Sequence, residues 1–262
     1  MKRSVAAFLI ALSAALSGCG IFGDKLDPQK NWTPEQFYTA AKDDLNSGSY
    51  ESAIKLYEAL EAKYPFGRYA QQAQIDVAYA YYKQGETAQA VSACDRFMKL
   101  HPNHPNLDYA LYLKALSYYK LDQGFLSTVI TQDMSERDPK ALRESFEVFK
   151  ELVERFPDSR YTEDSRARMA YLINTLARAE VNVATYYYNR GAYLAAVNRA
   201  QSTLQRYPQA PANEDALVMM IEAYQKMGMP QLAADSRRVL DRNFPKNRLS
   251  DGGSGKAWWK FW

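Results

Sequence analysis

Hydrophobic positions along this chain recur at fixed distances from five prolines, Pro65, Pro102, Pro157, Pro208 and Pro245. Each follows an aromatic or imidazole residue: Tyr64, His101, Phe156, Tyr207 and Phe244. Counted back from four of them, Gly stands seventeen residues before (Gly48, Gly85, Gly191, Gly228) and Ala twelve before (Ala53, Ala90, Ala196, Ala233). Bulky residues return five to eight before, as Tyr57 and Leu60, Cys94 and Phe97, and Leu240. Upstream, a small or apolar residue precedes a Tyr by three: Ala78 and Tyr81, Ala184 and Tyr187, Ile221 and Tyr224. Spacings of three and four mark one face of a helix, so each unit reads as two amphipathic helices. Ala at the crossing lets the two approach closely, Gly permits the tight turn between them, and Pro stops the second. Thr33-Pro34-Glu35-Gln36 opens the series as a capping box with Pro at the first helical position.

A helix pair closed by Pro, nominally about 34 residues long, is similar to the tetratricopeptide repeat. The pattern therefore predicts an all-α fold, an α-solenoid of about five tetratricopeptide helix pairs. Successive prolines lie 37, 55, 51 and 37 residues apart. The first excess falls within the third pair, around 121–140 (LDQGFLSTVITQDMSERDPK), where Gly124 and Asp138-Pro139 predict a loop or short helical insertion. The second falls in 160–189, a stretch without Gly or Pro, and predicts a first helix longer than its siblings by about four turns.

The N-terminus is of a different kind. Lys2 and Arg3 precede an apolar run from Ser4 to Leu16, too short to span a bilayer, which reads as a secretory signal. It closes on Leu16-Ser17-Gly18-Cys19, which resembles the bacterial lipobox. That likeness implies cleavage before Cys19, acylation of its thiol and new amino terminus, and membrane anchoring without a spanning helix. The expected organisation is a signal peptide over 1–18, a lipidated tether over 19–31, the repeat domain over 32–245 and an aromatic tail over 246–262. The absence of Asp after Cys19 implies the outer rather than the inner membrane of a Gram-negative cell.

Composition then removes whole classes of chemistry. The 33 Lys+Arg against 30 Asp+Glu leave a net charge of +3, too little to suggest nucleic acid. With Cys19 lipidated, Cys94 has no partner for a disulfide, and its place in the repeat suggests a buried apolar thiol. His101 and His104, in His-Pro-Asn-His-Pro, have no adjoining Cys or acidic cluster to complete a metal site. There is no phosphate-binding Gly loop and no nucleophile elbow. The reading is therefore of a non-enzyme, with no catalytic residue, metal or cofactor. Most of the 20 Tyr fall at packing positions of the repeat.

Several stretches carry a closer resemblance. Tyr64-Pro-Phe-Gly-Arg-Tyr-Ala70, Ala78-Tyr-Ala-Tyr-Tyr-Lys83, His101-Pro-Asn-His-Pro105 and Tyr186-Tyr-Tyr-Asn-Arg-Gly-Ala-Tyr193 with Asn198-Arg199 resemble the BamD (ComL) family of outer-membrane assembly lipoproteins. The resemblance runs from about Thr33 to Pro245. It implies a scaffold of the β-barrel assembly machinery that faces the periplasm and binds the POTRA region of BamA and other lipoproteins of the complex. It also implies that the scaffold receives unfolded outer-membrane proteins. On this chain, Arg190, Gly191 and Arg199 become candidates for the BamA contact, and Tyr64, Phe66 and Arg68 for substrate recognition. The two surfaces are expected to be separate.

The tail, Lys256-Ala-Trp-Trp-Lys-Phe-Trp262, holds three of the four Trp and lies outside this resemblance. Trp and Lys favour a membrane interface, and the aromatic pattern also suggests a mimic of a substrate's terminal signal. An alternative for the whole chain is a tetratricopeptide lipoprotein serving as pilotin or adaptor for a secretin or for cell-wall enzymes.

Overall fold

The computed structural model describes residues 29–123, 139–247 and 249. The signal segment, Cys19, the insertion core at 124–138 and the aromatic tail lie outside the described residues. Within them run ten α-helices: α1 Pro34–Ser47, α2 Tyr50–Lys63, α3 Arg68–Gln84, α4 Thr87–Leu100, α5 Leu107–Gln123, α6 Lys140–Arg155, α7 Thr162–Asn189, α8 Tyr193–Arg206, α9 Asn213–Lys226 and α10 Pro230–Asn243. No strand occurs among the described residues. They form five successive pairs, the all-α arrangement that the spacing predicts.

Helix starts and stops follow from local chemistry. The Gln36 N–H donates to Thr33 Oγ1 at 3.3 Å while the Thr33 N–H donates to Gln36 Oε1 at 2.8 Å, closing the capping box. Gly48 turns the chain at φ 84°, a left-handed conformation that a Cβ would strain. A residue before Pro is pushed out of the α region, so each second helix stops one residue short of its proline. The five capping residues Tyr64, His101, Phe156, Tyr207 and Phe244 share φ between −133° and −129°. Each still donates its N–H to the carbonyl four residues back, at 2.8–2.9 Å.

The chain divides into two compact units, 1–73 and 74–262, with α3 running across the division. In the first unit, α1 packs on α2, burying Phe37, Ala41, Ala53, Tyr57 and Leu60. The Tyr38 ring lies 5.8 Å from Tyr57 and 5.5 Å from Tyr69.

In the second unit the residues five before each proline, Phe97, Leu152, Thr203 and Leu240, are fully buried. Burying a Leu or Phe contributes about 1.5–3 kcal/mol, so this repeated position is a main source of stability. The third pair has Ser145 where its siblings have Ala. It is fully buried, and its hydroxyl donates to the Ala115 carbonyl at 2.9 Å, which satisfies the polar atom.

Helix α7 is 28 residues long against 14 for its partner α8. Its first half joins a core with α5 and α6, through Leu172 and Leu176 beside Leu111, Leu142, Phe149 and Leu152. Its second half joins another with α8, α9 and α10, through Ala177, Val181 and Ala184. One helix thus serves two cores and passes from one to the other within about a turn.

Candidate interaction sites

The first candidate set lies at the close of α2. The Tyr64 hydroxyl donates to the Trp32 carbonyl at 2.8 Å, and Lys63 Nζ donates to the Lys30 carbonyl at 2.6 Å. The same ammonium sits 5.4 Å from the centre of the Phe37 ring and 5.5 Å from that of Tyr64. Tyr64 therefore ties the entering chain to the helix pair, and its hydroxyl is engaged in doing so. Gly67, at φ 102°, turns the loop and leaves Phe66 91% exposed. The Arg68 guanidinium lies 4.8 Å over the Tyr69 ring and donates to its hydroxyl at 3.2 Å. An exposed aromatic beside a stacked cation can contact both the apolar side chains and the carbonyls of an extended peptide.

The second set gathers at the turn between α7 and α8. Arg190 ends α7, with its guanidinium 4.9 Å over the Tyr186 ring, and Gly191 makes the turn at φ 75°. Val183, Tyr186 and Arg190 share one helical face by their spacing of three and four. Tyr186 is 54% exposed, and Leu194, just past the turn, is 63% exposed. Arg199 is differently employed. Its Nη1 donates to Glu180 Oε2 at 3.1 Å while Arg206 Nη1 donates to Oε1 at 3.3 Å, and the Glu180 side chain is 8% exposed. A buried carboxylate is tolerated when paired on both oxygens, so these two arginines pin α8 to α7. Glu180 escapes a reading by sequence because acids on this helix otherwise fall on the solvated face.

Other titratable groups serve packing. Cys94 is buried beside Ala78 and Leu113, and desolvation, then the Asp95 charge, pushes its thiol up to about 12. His101 Nε2 lies 2.8 Å from Gln74 Oε1, and the Asn106 N–H donates to His104 Nδ1 at 3.1 Å. Burial, then the neighbouring His101, holds His104 below the usual imidazole range. Among the described residues no group of three or more His, Cys, Asp or Glu could hold a metal ion. No described helix is long and apolar enough to cross a membrane.

The family described as YfiO, outer membrane lipoprotein, matches residues 30–240. The chain is similar to the outer membrane protein assembly factor BamD of Neisseria meningitidis serogroup A, with 48% identity over 260 residues, 97% of each chain. It is also similar to BamD of Vibrio cholerae, with 35% identity covering 93% of this chain and 99% of that one. Among solved structures, the TPR2AB-domain:pHSP90-complex of yeast Sti1 matches 81% of this chain and 78% of that one, with 13% identity and a TM-score of 0.46.

Proposed function

The chain belongs to the YfiO family of outer membrane lipoproteins, and from that membership we propose that it is a lipid-anchored adaptor with two distinct binding surfaces. It is an outer membrane protein assembly factor and belongs to the outer-membrane assembly complex. The observation that carries this is 48% identity to a BamD over 97% of both chains.

The finer assignments rest on chemistry. Acylated Cys19 holds the protein at the outer membrane, facing the periplasm. The exposed stripe at Tyr186 and Arg190, with the Gly191 turn, receives the POTRA region of BamA, and Arg199 supports it by fixing α8. The loop of Phe66 and Arg68, held by Tyr64, receives unfolded outer-membrane chains. The protein acts by binding and presenting, without a reaction of its own.

Arg190→Glu reverses an exposed charge without touching Glu180. It should lower the BamA recovered with the protein from detergent-solubilised outer membranes about tenfold, a change of about 1.4 kcal/mol. Recovery at the parent level removes the Arg190–Gly191 assignment. Charge reversal at Arg199 is a poorer test, because it would set a second carboxylate against Glu180.

A further inference from the structure

The double duty of α7 leaves a hollow where its two cores meet. Its volume is about 330 Å³. Phe146 and Leu176 belong to one core, Ile173 to the other, and Tyr207 packs against both. Arg143 and Glu147 stand on its rim, one turn apart on α6, with Gln209 opposite in the turn before α9. Neither the Arg143 nor the Glu147 side chain makes an ion pair or hydrogen bond with another described residue. The walls are thus largely apolar, and the rim carries Arg143 and Glu147, whose side chains have no partner among the described residues, beside Arg206, which is paired with Glu180.

We propose that this hollow is a peptide subsite, which takes one large apolar side chain from an extended strand and holds the strand's backbone at the rim. The proposal rests on the assembly-factor reading, which supplies unfolded outer-membrane chains as the partner. Three features point to an extended strand. The volume lies at the small end of ligand pockets, about 300–1,000 Å³, and suits a side chain better than a folded surface. One helical turn separates Arg143 and Glu147 by about 6 Å, close to the roughly 6.6–6.8 Å between alternate residues of a strand. The Arg143 guanidinium donates to a peptide carbonyl, and the Glu147 carboxylate accepts from a peptide N–H. Strands of outer-membrane barrels alternate apolar and polar residues, so every second side chain can be offered to the walls. Recognition of backbone plus a single apolar side chain tolerates many sequences, which a receptor for diverse barrels requires.

The test uses the full lipidated chain in detergent and a fluorescein-labelled peptide of about ten residues, the length of one barrel strand. The peptide alternates Phe or Tyr with Ser, Thr or Asn, and a control groups the same aromatic residues together. Anisotropy should show the alternating peptide bound more tightly than the grouped one. Ile173→Glu should weaken binding about tenfold, and the exposed double change Arg143→Ala with Glu147→Ala about fivefold. The rim variant should keep the parent melting temperature, so it decides the matter if Ile173→Glu unfolds. Equal binding of both peptides, or affinities of both variants within about twofold of the parent, overturns the subsite. If Phe66→Ala alone abolishes binding, the subsite fails and the receptor reading stands. If the parent chain binds neither peptide, both fail.

Discussion

Helices α8 and α10 are built alike and end differently. Each has 14 residues, a buried Ala twelve before its proline, and a buried residue five before. Eleven, eight and four residues before Pro208, α8 carries Val197, Ala200 and Leu204, the first two nearly or fully buried in the core shared with α9. At the same places α10 carries Ala234, Arg237 and Asp241. Arg237 Nε donates to both Asp241 oxygens at 3.0 Å, and Nη2 donates to the Leu249 carbonyl at 3.0 Å. Buried Asn247 donates to Asp241 Oδ1 at 2.9 Å and accepts the Leu249 N–H at 2.9 Å. Among the described residues, a polar clamp occupies on α10 the positions through which α8 packs against α9. The contrast separates two jobs within one repeat. Inward positions make the pair, and outward positions set whether apolar or polar groups lie against it.

The sharpest way to break the comparison is to place the same charge at equivalent outward sites. Val197→Asp buries a carboxylate among apolar atoms and should cost about 4 kcal/mol, whereas Ala234→Asp should stay within about 0.5 kcal/mol. Urea unfolding of the two variants measures the difference, and equal losses would mean that α10 has no free outward face.

A smaller effect concerns charges that face inward. Arg199→Gln with Arg206→Gln leaves Glu180 buried and unpaired, and should cost about 3 kcal/mol. Either single change should cost about 1 kcal/mol, because the other arginine remains. Thermal unfolding of the three variants reads this out. Losses that simply add would show that the two arginines do not share one carboxylate.

The smallest effect probes the clamp on α10. The Arg237 hydrogen bond, then that of Asn247, holds the Asp241 carboxyl below the usual carboxylate range. A depressed folded value means that the contribution is present above the unfolded value of about 3.9 and is lost as pH falls through the folded one. Asp241→Asn should therefore flatten the fall in melting temperature between about pH 5 and pH 3. An unchanged slope would remove Asp241 from the clamp.

Much of this was legible in the residues themselves. The register of Pro, Gly and Ala places the ends of α2, α4, α8 and α10, because each rule acts within a few residues of backbone. The run without Gly or Pro announces the length of α7 for the same reason. Tyrosines at helical spacing, such as Tyr57, do fill the core, while Tyr171 and Tyr186 stay exposed. The interaction sites were only partly legible. Phe66, Arg68 and Arg190 are accessible, but Tyr64 and Arg199 are both engaged in holding the fold. Ser145 stands in an alanine slot that no spacing rule marks, since its hydroxyl is satisfied by a carbonyl thirty residues away.

By itself, the sequence determined the class of fold, the number of helix pairs, where each second helix stops and the family. These follow from short-range sterics and from identity along the whole chain. The tertiary structure alone decided that α7 serves two cores, that Glu180 is buried between two arginines, that a hollow opens at the step, and that α10 is sealed by a polar clamp. Each of these depends on which side chains meet across helices far apart in sequence. Burial and pairing, the properties that give those residues their roles, are not carried by any single position in the chain.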